Sequence, residues 1–176
     1  MGRPKALLLF GGRTFLENIL DNISAASVEY TVVVLGHHRD EIVAAVQVEN
    51  PVFNPDYELG MTTSMKAGIR ALPGQAKGAF VFLVDHPLTR TTTIEALARH
   101  FRPGHIVLPT FDGRRGHPVL FSREVLEEIL SLPASLGANT IVWKDPSRII
   151  EVPVEDAGIR IDIDTPEQFK QLRRKE

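Results

Sequence analysis

The chain contains no cysteine. This absence excludes disulfide bonds, zinc sites built on thiolates and a cysteine nucleophile. An excess of charge of either sign is missing too, since 20 lysines and arginines face 22 aspartates and glutamates. Proteins that bind nucleic acid usually present a basic surface, and the short basic tail at 173–175 does not create one. We therefore expect no nucleic acid partner.

Long apolar runs are also missing. No stretch approaches the about 20 residues that cross a bilayer, and the amino terminus lacks the pattern of a signal peptide. We therefore expect a cytoplasmic protein without a membrane partner. A length of 176 residues is enough for one compact domain with a substantial core, and hardly for two. The whole range 1–176 is accordingly predicted to be one domain.

Apolar runs alternate with amphipathic segments along the chain, without a long linker or a detectable repeat. This alternation predicts an α/β fold. Three threonines, Thr14, Thr92 and Thr165, are followed three residues later by Glu or Gln, which is the capping-box pattern of a helix start. The predicted strands are 6–10, 30–35, 51–53, 79–84, 105–109, 118–121, 149–154 and 159–163.

Asp85 is the first candidate site residue. It follows the apolar run 78–84 and directly precedes His86 and Pro87. Open α/β sheets bind their ligands beyond the carboxyl ends of the strands, so a carboxylate at this point can bind Mg²⁺ without being buried. An equally good interpretation is that Asp85 only turns the chain before Pro87.

Two further carboxylates, Asp162 and Asp164, alternate with isoleucines near the carboxyl terminus. A period of two places both on one face of a strand. Asp164 directly precedes Thr165, so it can complement the dipole of the following helix. It can equally be half of a metal site with Asp85, because Mg²⁺ prefers one or two carboxylates together with substrate phosphates. Both interpretations remain open.

The loop 112–118 joins two apolar runs and begins with Asp-Gly, a strong hairpin signal. Arg114, Arg115 and His117 lie beside Gly116 in this loop. Cationic and ionisable groups beside a glycine can bind a phosphate. A solvated hairpin loop is the alternative interpretation.

The segment 54–64 combines Gly60 with a cluster of hydroxyl side chains that ends at Ser64. Amides at a helix start, together with Ser and Thr oxygens, favour anions and ribose hydroxyls. Taken alone, the pattern favours ordinary helix capping by Thr62 or Thr63.

Six short motifs follow one another along the chain. They are Met-Gly-Arg-Pro-Lys at 1–5, Val-Val-Leu-Gly at 33–36, Asn-Pro-Asp at 54–56 with Gly-Met-Thr-Thr-Ser-Met-Lys-Ala-Gly at 60–68, Asp-His-Pro at 85–87, Gly-Arg-Arg-Gly-His-Pro-Val at 113–119, and Asp-Ile-Asp-Thr-Pro-Glu at 162–167. Together they resemble the MobA-like NTP transferase family, and most closely its molybdenum cofactor cytidylyltransferases. The resemblance implies a Rossmann-like three-layer α/β/α sandwich with a mostly parallel sheet, as in nucleotide-diphospho-sugar transferases.

The resemblance also implies a reaction. A nucleotidyl group would pass from an NTP, with CTP favoured over GTP, to a phosphate-bearing acceptor such as molybdopterin, with Mg²⁺ as cofactor and pyrophosphate leaving. A molybdoenzyme is a further partner that it suggests. By the same resemblance, the catalytic residues are Lys5, Asp85 and Asp164, and both aspartates bind the metal. The implied nucleotide-binding residues are Arg3, Lys5, Gly36, Gly60, Ser64 and His86, and the acceptor-binding residues are Arg115, Gly116 and His117.

Two features depart from the family pattern. Members carry a strand and a Gly-rich phosphate loop just before the first motif, and here the sequence starts at Met1. We expect this strand and loop to be missing, or replaced by 6–10 with Gly11 and Gly12 as the phosphate turn. The second departure is His86, where the cytidylyltransferases usually carry Gln. A nucleotidyltransferase for a sugar phosphate and a catalytically silent binding module are the alternative functions.

Overall fold

The computed structural model describes residues 3–173, and its strands form three groups. The first group is an antiparallel hairpin of β1 (Leu9–Phe10) and β2 (Arg13–Thr14). The second is a parallel pair, β3 (Val33–Leu35) and β4 (Pro51–Phe53). The third is a five-stranded sheet of β5 (Gly78–Val81), β6 (Ile106–Phe111), β7 (Arg114–Arg115), β8 (Val119–Ser122) and β9 (Ile149–Pro153).

Helices connect these strands. They are α1 (Phe15–Ala25), α2 (Arg39–Ala45), α3 (Met61–Arg70), α4 (Thr91–Arg99), α5 (Arg123–Ser131), α6 (Asn139–Lys144) and α7 (Pro166–Arg173). Short 3-10 helices cover Lys5–Leu7, Tyr57–Leu59, Pro146–Arg148 and Ala157–Arg160. Among the residues from 3 to 173, no helix is both long and apolar enough to cross a membrane.

The five-stranded sheet contains both parallel and antiparallel strands. β8 is antiparallel to both β5 and β6, and β9 is parallel to β6. It follows that β5, β6 and β9 run in one direction. The predicted Rossmann-like α/β fold is confirmed by these strands and by the helices that cover them.

The core lies on both faces of the sheet, because neighbouring strand residues point to opposite sides. Ile106 and Phe121 pack on one face against α3, α5 and α6. Val107 and Leu120 pack on the other face, where α4 lies together with α1. A buried aliphatic side chain of this kind contributes about 1.5–3 kcal/mol to folding. The sheet is therefore the middle of three layers.

The predicted strand 6–10 is wrong. Lys5–Leu7 forms a 3-10 helix, and only Leu9–Phe10 is extended, in the hairpin with β2. Gly11 and Gly12 form the two-residue turn of this hairpin with φ values of 61° and 76°, a conformation that strongly favours glycine. The hypothesis that 6–10 replaces a central strand, with a phosphate turn behind it, is therefore wrong as well.

The predicted strand 159–163 is also wrong. Ala157–Arg160 is a 3-10 helix, and 161–164 has no strand partner among the described residues. Asp156 explains the helix, because its Oδ1 accepts a hydrogen bond of 2.9 Å from the amide of Gly158. Further along, the amide of Ile163 donates to the carbonyl of Asp85 over 2.9 Å.

Two of the three predicted capping boxes are confirmed. Oγ1 of Thr14 accepts from the amide of Glu17 over 3.1 Å, and Oε2 of Glu17 accepts from the amide of Thr14 over 2.7 Å. Thr165 and Gln168 form the same reciprocal pair, at 3.2 and 2.7 Å. Both boxes are local, so sequence spacing was sufficient to predict them.

The predicted capping box at Thr92 is wrong. α4 begins at Thr91, and the side chain of its cap residue, Arg90, makes no capping bond. Asp156, which is only 2% exposed, supplies the cap from a distant segment. Its Oδ2 accepts from the amide of Arg90 over 2.8 Å and from Oγ1 of Thr93 over 2.7 Å. The start of α4 is therefore set by a tertiary contact.

We predict that Asp156→Ala lowers the free energy of unfolding by about 1–3 kcal/mol, because it removes a cap and leaves buried donors without a partner. Urea unfolding followed by circular dichroism measures the loss. Glu155→Ala, at the exposed neighbouring position, is the control and should change stability by less than about 0.5 kcal/mol. Equal effects of the two substitutions would contradict the capping role.

Candidate functional site

Lys5 lies between two aspartates that are distant in sequence. Its Nζ donates a short hydrogen bond to Oδ1 of Asp164 and lies 3.6 Å from Oδ2 of Asp85. Asp85 follows the β5 segment, and the bond from Ile163 to the Asp85 carbonyl holds the 161–164 segment beside it. The three residues predicted to be catalytic are thus brought together at the carboxyl end of β5.

The backbone around Lys5 explains its position. The amide of Leu7 donates to the carbonyl of Pro4 over 2.9 Å, and the amide of Leu8 donates to that of Lys5 over 3.1 Å. Ala6 and Leu7, the next two residues, are buried against α1 and β3. Buried neighbours therefore anchor a side chain that is itself only partly exposed.

The charges of this triad stabilise one another. Burial alone would lower the pKa of Lys5, but the hydrogen bond to Asp164 and the charges of both aspartates outweigh it and raise that pKa above its usual value. The hydrogen bond and the charge of Lys5 lower the pKa of Asp164. Lys5 is therefore an ammonium group and Asp164 a carboxylate at neutral pH.

Two histidines extend the site. Nε2 of His86 lies 3.9 Å from Oδ1 of Asp85, and the rings of His86 and His117 have centroids 5.0 Å apart. Burial, followed by the nearby charge of His86, lowers the pKa of His117 to about 4. The His117 ring is therefore neutral at pH 7.

Several polar atoms of this cluster have no protein partner. Oδ1 of Asp85, Nδ1 of His86 and Nδ1 of His117 are all buried without a hydrogen bond within the described part of the chain. Buried polar atoms are nearly always paired in folded proteins, either with protein groups or with water or a ligand. Their concentration beside Asp85 indicates a place where a polar ligand or water completes the structure.

Two of the predicted nucleotide-binding residues, Gly36 and Ser64, line an apolar cavity, and Gly60 does not. Gly36 and Ser64 line it together with residues 78–84 of the β5 segment. Gly36 must be small, since a Cβ there would lie 2.9 Å from the Cβ of Tyr57. Gly60 begins α3 with a φ of 111°, a conformation that favours glycine.

The hydroxyl groups at the start of α3 do not cap the helix. Buried Asn54 donates to Oγ1 of Thr63 and to Oγ of Ser64, over 2.9 and 3.0 Å. Oγ1 of Thr62 donates to the carbonyl of Leu136 over 2.7 Å. The interpretation of Thr62 or Thr63 as the helix cap is therefore wrong, because tertiary partners engage both hydroxyls and the cap position is Gly60.

The three predicted acceptor residues are separated by the fold. His117 lies in the cluster, whereas Nε and Nη2 of Arg115 both contact Oε1 of Glu151 at 2.7 Å. Gly116 packs so tightly that a Cβ would lie 2.4 Å from the carbonyl of Ile159. Arg3, predicted to bind the nucleotide, is exposed near the amino terminus.

The contact between His86 and His117 was missed by the sequence analysis. Each histidine directly precedes a proline, at 86–87 and 117–118. The paired strands β5 and β8 bring the two histidines together, because Val81 is opposite Val119 in the register. The repeated His-Pro dipeptide beside two apolar runs was the signal that could have indicated this contact.

The sheet lies between two layers of helices, and carboxylates lie just beyond the carboxyl end of β5. Together these features define a Rossmann-like protein of the nucleotide-diphospho-sugar transferase fold. The chain belongs to the MobA-like NTP transferase family, whose domain model matches residues 1–148. This match confirms the family resemblance, and its range includes the first five of the six motifs.

Individual relatives bear different names. Nicotine blue oxidoreductase of Paenarthrobacter nicotinovorans is 30% identical over 98% of this chain and 89% of that protein. Molybdenum cofactor cytidylyltransferase of Escherichia coli (strain K12) is 28% identical over 96% of this chain and 86% of that protein. The structure of Rv0371c from Mycobacterium tuberculosis in complex with manganese matches with a TM-score of 0.86 and 25% identity, over 98% of this chain and 93% of that one.

We predict that the ring of His117 titrates in the native protein with a midpoint near pH 4, against ~6.5 in the urea-unfolded chain. The folded pKa is the lower one, so the folded state prefers the neutral ring, and this preference is fully present above about pH 6.5. It is lost as the pH falls from about 6.5 towards 4, and amounts to roughly 3 kcal/mol. NMR titration of the ring in both states measures the midpoints, and a native midpoint near 6.5 would contradict the prediction.

Proposed function

We propose that the protein is a Mg²⁺-dependent nucleotidyltransferase that transfers CMP from CTP to the phosphate of a small acceptor such as molybdopterin, releasing pyrophosphate. The observation that carries this proposal is the Lys5 ammonium held between Asp85 and Asp164 beyond the end of β5. The family membership and the likeness to a cytidylyltransferase support it.

The acceptor phosphate is already an anion near neutral pH, so the reaction needs no strong base. It attacks the α-phosphorus in line, and the protein mainly positions the reacting groups and neutralises their charge. Lys5 is suited to this task because it keeps its positive charge. In the complex, its ammonium group would turn from the carboxylates towards the triphosphate and offset the charge that develops on pyrophosphate.

The donor set of the site fits Mg²⁺. Oδ1 of Asp85 is buried without a hydrogen bond in the described structure, and Asp85 and Asp164 both contact one cationic group, the ammonium of Lys5. No group of three or more histidine and acidic side chains from residues 3 to 173 forms a metal cage. Mg²⁺ is commonly bound by one or two carboxylates together with substrate phosphates. Asp85 and Asp164 would hold the ion, which would polarise the phosphate oxygens when bound.

The remaining residues would bind the two substrates. His86 and Lys5 lie beside Asp85 and would contact the nucleotide there, and Gly36, Gly60 and Ser64 would contact other parts of it. His117 would face the acceptor from the cluster. Arg115 would have to leave Glu151 before it could contact the acceptor.

We predict that Asp85→Asn reduces metal-dependent CTP turnover at least about 100-fold, since it removes a charge from the metal site. The thermal midpoint should change little, because the substituted side chain keeps its shape. Asp162→Asn is the matched control, since Asp162 is exposed and lies two residues before Asp164. A large loss of thermal stability in Asp85→Asn would instead assign this carboxylate a structural role.

We predict that Lys5→Ala weakens CTP binding by about 10- to 100-fold, the effect of one lost hydrogen bond between charged groups. Cytidine lacks the phosphates, so its affinity should change much less. Calorimetric titration with CTP, GTP and cytidine measures both effects, and CTP should bind more tightly than GTP. Lys144→Ala, at an exposed lysine at the end of α6, is the control. An unchanged CTP affinity in Lys5→Ala would remove Lys5 from the site.

A second candidate function comes from the similarity to nicotine blue oxidoreductase, which covers 98% of this chain. Incubation with nicotine blue and a reductant whose chemical class is varied between assays, followed by the absorbance of nicotine blue, tests it. Turnover of nicotine blue without CTP binding would favour the oxidoreductase. A sugar phosphate that accepts the nucleotidyl group would identify a different acceptor, and no binding of any NTP would favour the silent binding module.

A further inference from the structure

The contact between Lys5 and Asp85 joins two segments that are far apart in sequence. Lys5 begins the 3-10 helix at Lys5–Leu7, and Asp85 begins the loop 85–90 that leads to α4. Neither residue belongs to a strand, so no strand ladder fixes the 3.6 Å between Nζ of Lys5 and Oδ2 of Asp85. Groups that touch both segments therefore decide this distance.

The first turn of α1 holds the segment of Lys5. The amide of Phe15 donates to the carbonyl of Leu8 over 2.8 Å. Leu16 is buried and packs in one cluster with Leu7, which lies two residues after Lys5. The position of Lys5 therefore follows the position of α1.

Asn22, near the other end of α1, holds the segment of Asp85. Its Nδ2 donates to the carbonyl of Thr89 over 3.0 Å, and its Oδ1 accepts from Oγ1 of Thr91 over 3.1 Å. One side-chain amide thus uses both a donor and its acceptor on the same short stretch of chain. This stretch contains the end of the loop 85–90 and the first residue of α4. Asn22 therefore ties that loop to α1.

The loop 85–90 needs such ties because it contains turns and no helix or strand. Segments with few backbone hydrogen bonds open locally at a low cost in free energy. Asp156 holds this loop at the amide of Arg90. Asn22 supplies a separate tie, to the helix that also holds Lys5.

Helix α1 acts as a spacer between the two segments. Asn22 is six positions after Leu16. A helix rises about 1.5 Å per residue, so these two points of attachment lie about 9 Å apart along its axis. The hydrogen bonds within the helix keep this length constant. The distance between Lys5 and Asp85 is thus set through one rigid element.

We propose that Asn22 is a positioning residue of the candidate site: its two side-chain hydrogen bonds set the place of Asp85 relative to Lys5. The inference rests on the proposed function, in which Lys5 and Asp85 act together on the triphosphate and the metal ion. A displacement of about 1 Å in an active site can slow a reaction about 100-fold. A side chain outside the site therefore controls how well the site works.

The substitution Asn22→Leu tests the position of Asp85 directly. Leucine is close to asparagine in size and favours a helix, but it cannot form the two hydrogen bonds. The nuclear Overhauser effect between the side chains of Lys5 and Asp85 reports their contact in solution. A second effect, between the rings of His86 and His117, reports the place of the residue after Asp85. We expect Asn22→Leu to lose both effects.

Asn18→Leu is the matched control. Asn18 lies one turn before Asn22 on the same face of α1, and its Nδ2 donates to the carbonyl of Phe10 over 3.0 Å. This bond is as long as the one from Asn22 to Thr89, but it holds the β1–β2 hairpin. Asn18→Leu should lower the thermal midpoint by a similar amount and keep both Overhauser effects. Equal loss in the two variants, or no loss in Asn22→Leu, would overturn the proposal.

A further substitution decides the case in which Asn22→Leu does not fold. Thr91→Val removes the bond to Oδ1 of Asn22 and keeps the branched shape of the side chain. We expect a partial loss of the Overhauser effect between Lys5 and Asp85. An unchanged effect in Thr91→Val, together with an unfolded Asn22→Leu, would show that Asn22 only stabilises the fold.

The kinetics of CTP turnover test the consequence for the reaction. The kcat of Asn22→Leu should fall about 10-fold or more, because Asp85 is displaced from Lys5. The KM for CTP should change less than kcat, and Asn18→Leu should keep both nearly unchanged. An unchanged kcat in spite of lost Overhauser effects would overturn the positioning role. Wild-type protein without any turnover would contradict the proposed function instead, and the Overhauser effects would still decide whether Asn22 places Asp85.

Discussion

The buried carboxylate of Asp156 fixes the geometry on which the candidate site depends. Its two oxygens bind the start of α4 and the 3-10 helix at Ala157–Arg160, so they join segments that are far apart in sequence. Gly158 fits against the carbonyl of Leu88, where a Cβ would lie only 2.2 Å away. This junction guides the chain towards Asp85, and Asp164 meets Lys5 as a result. A structural carboxylate thus helps to position Asp164, a residue of the candidate site.

The site combines groups with different electrostatic roles. Lys5 and Asp164 each stabilise the charged form of the other, and the charge of Asp85 adds to the stabilisation of the Lys5 ammonium. His117 is kept neutral by burial and can therefore offer one donor and one acceptor. Under the proposed function, an anionic substrate that binds Lys5 would leave the two carboxylates without their cation. A divalent metal ion that arrives with the substrate would restore the balance of charge, which is a physical reason for coupling the two ligands.

Sequence reasoning succeeded where the relevant interaction is local. The capping boxes at Thr14 and Thr165 depend on neighbours a few residues apart, and both boxes form in the structure. The alternation of apolar runs that predicted the α/β fold is local in the same way. Sequence reasoning failed where a distant partner decides, as in the cap of α4 and the hydroxyl of Thr62. Residues 159–163 alternate like a strand, yet they lack a neighbour with which to pair. The meeting of Asp85 with Asp164 was a hypothesis that only tertiary structure could examine, and their catalytic roles stay proposals.

The division of the sheet has a mechanical consequence. The β3–β4 pair shares no backbone ladder with the five-stranded sheet in the described structure, so apolar contacts through α1 and α3 hold the two parts together. Such contacts weaken as the temperature falls, unlike a ladder of hydrogen bonds. Stability at the boundary between the two parts therefore depends on the packing of helix side chains and not on strand pairing.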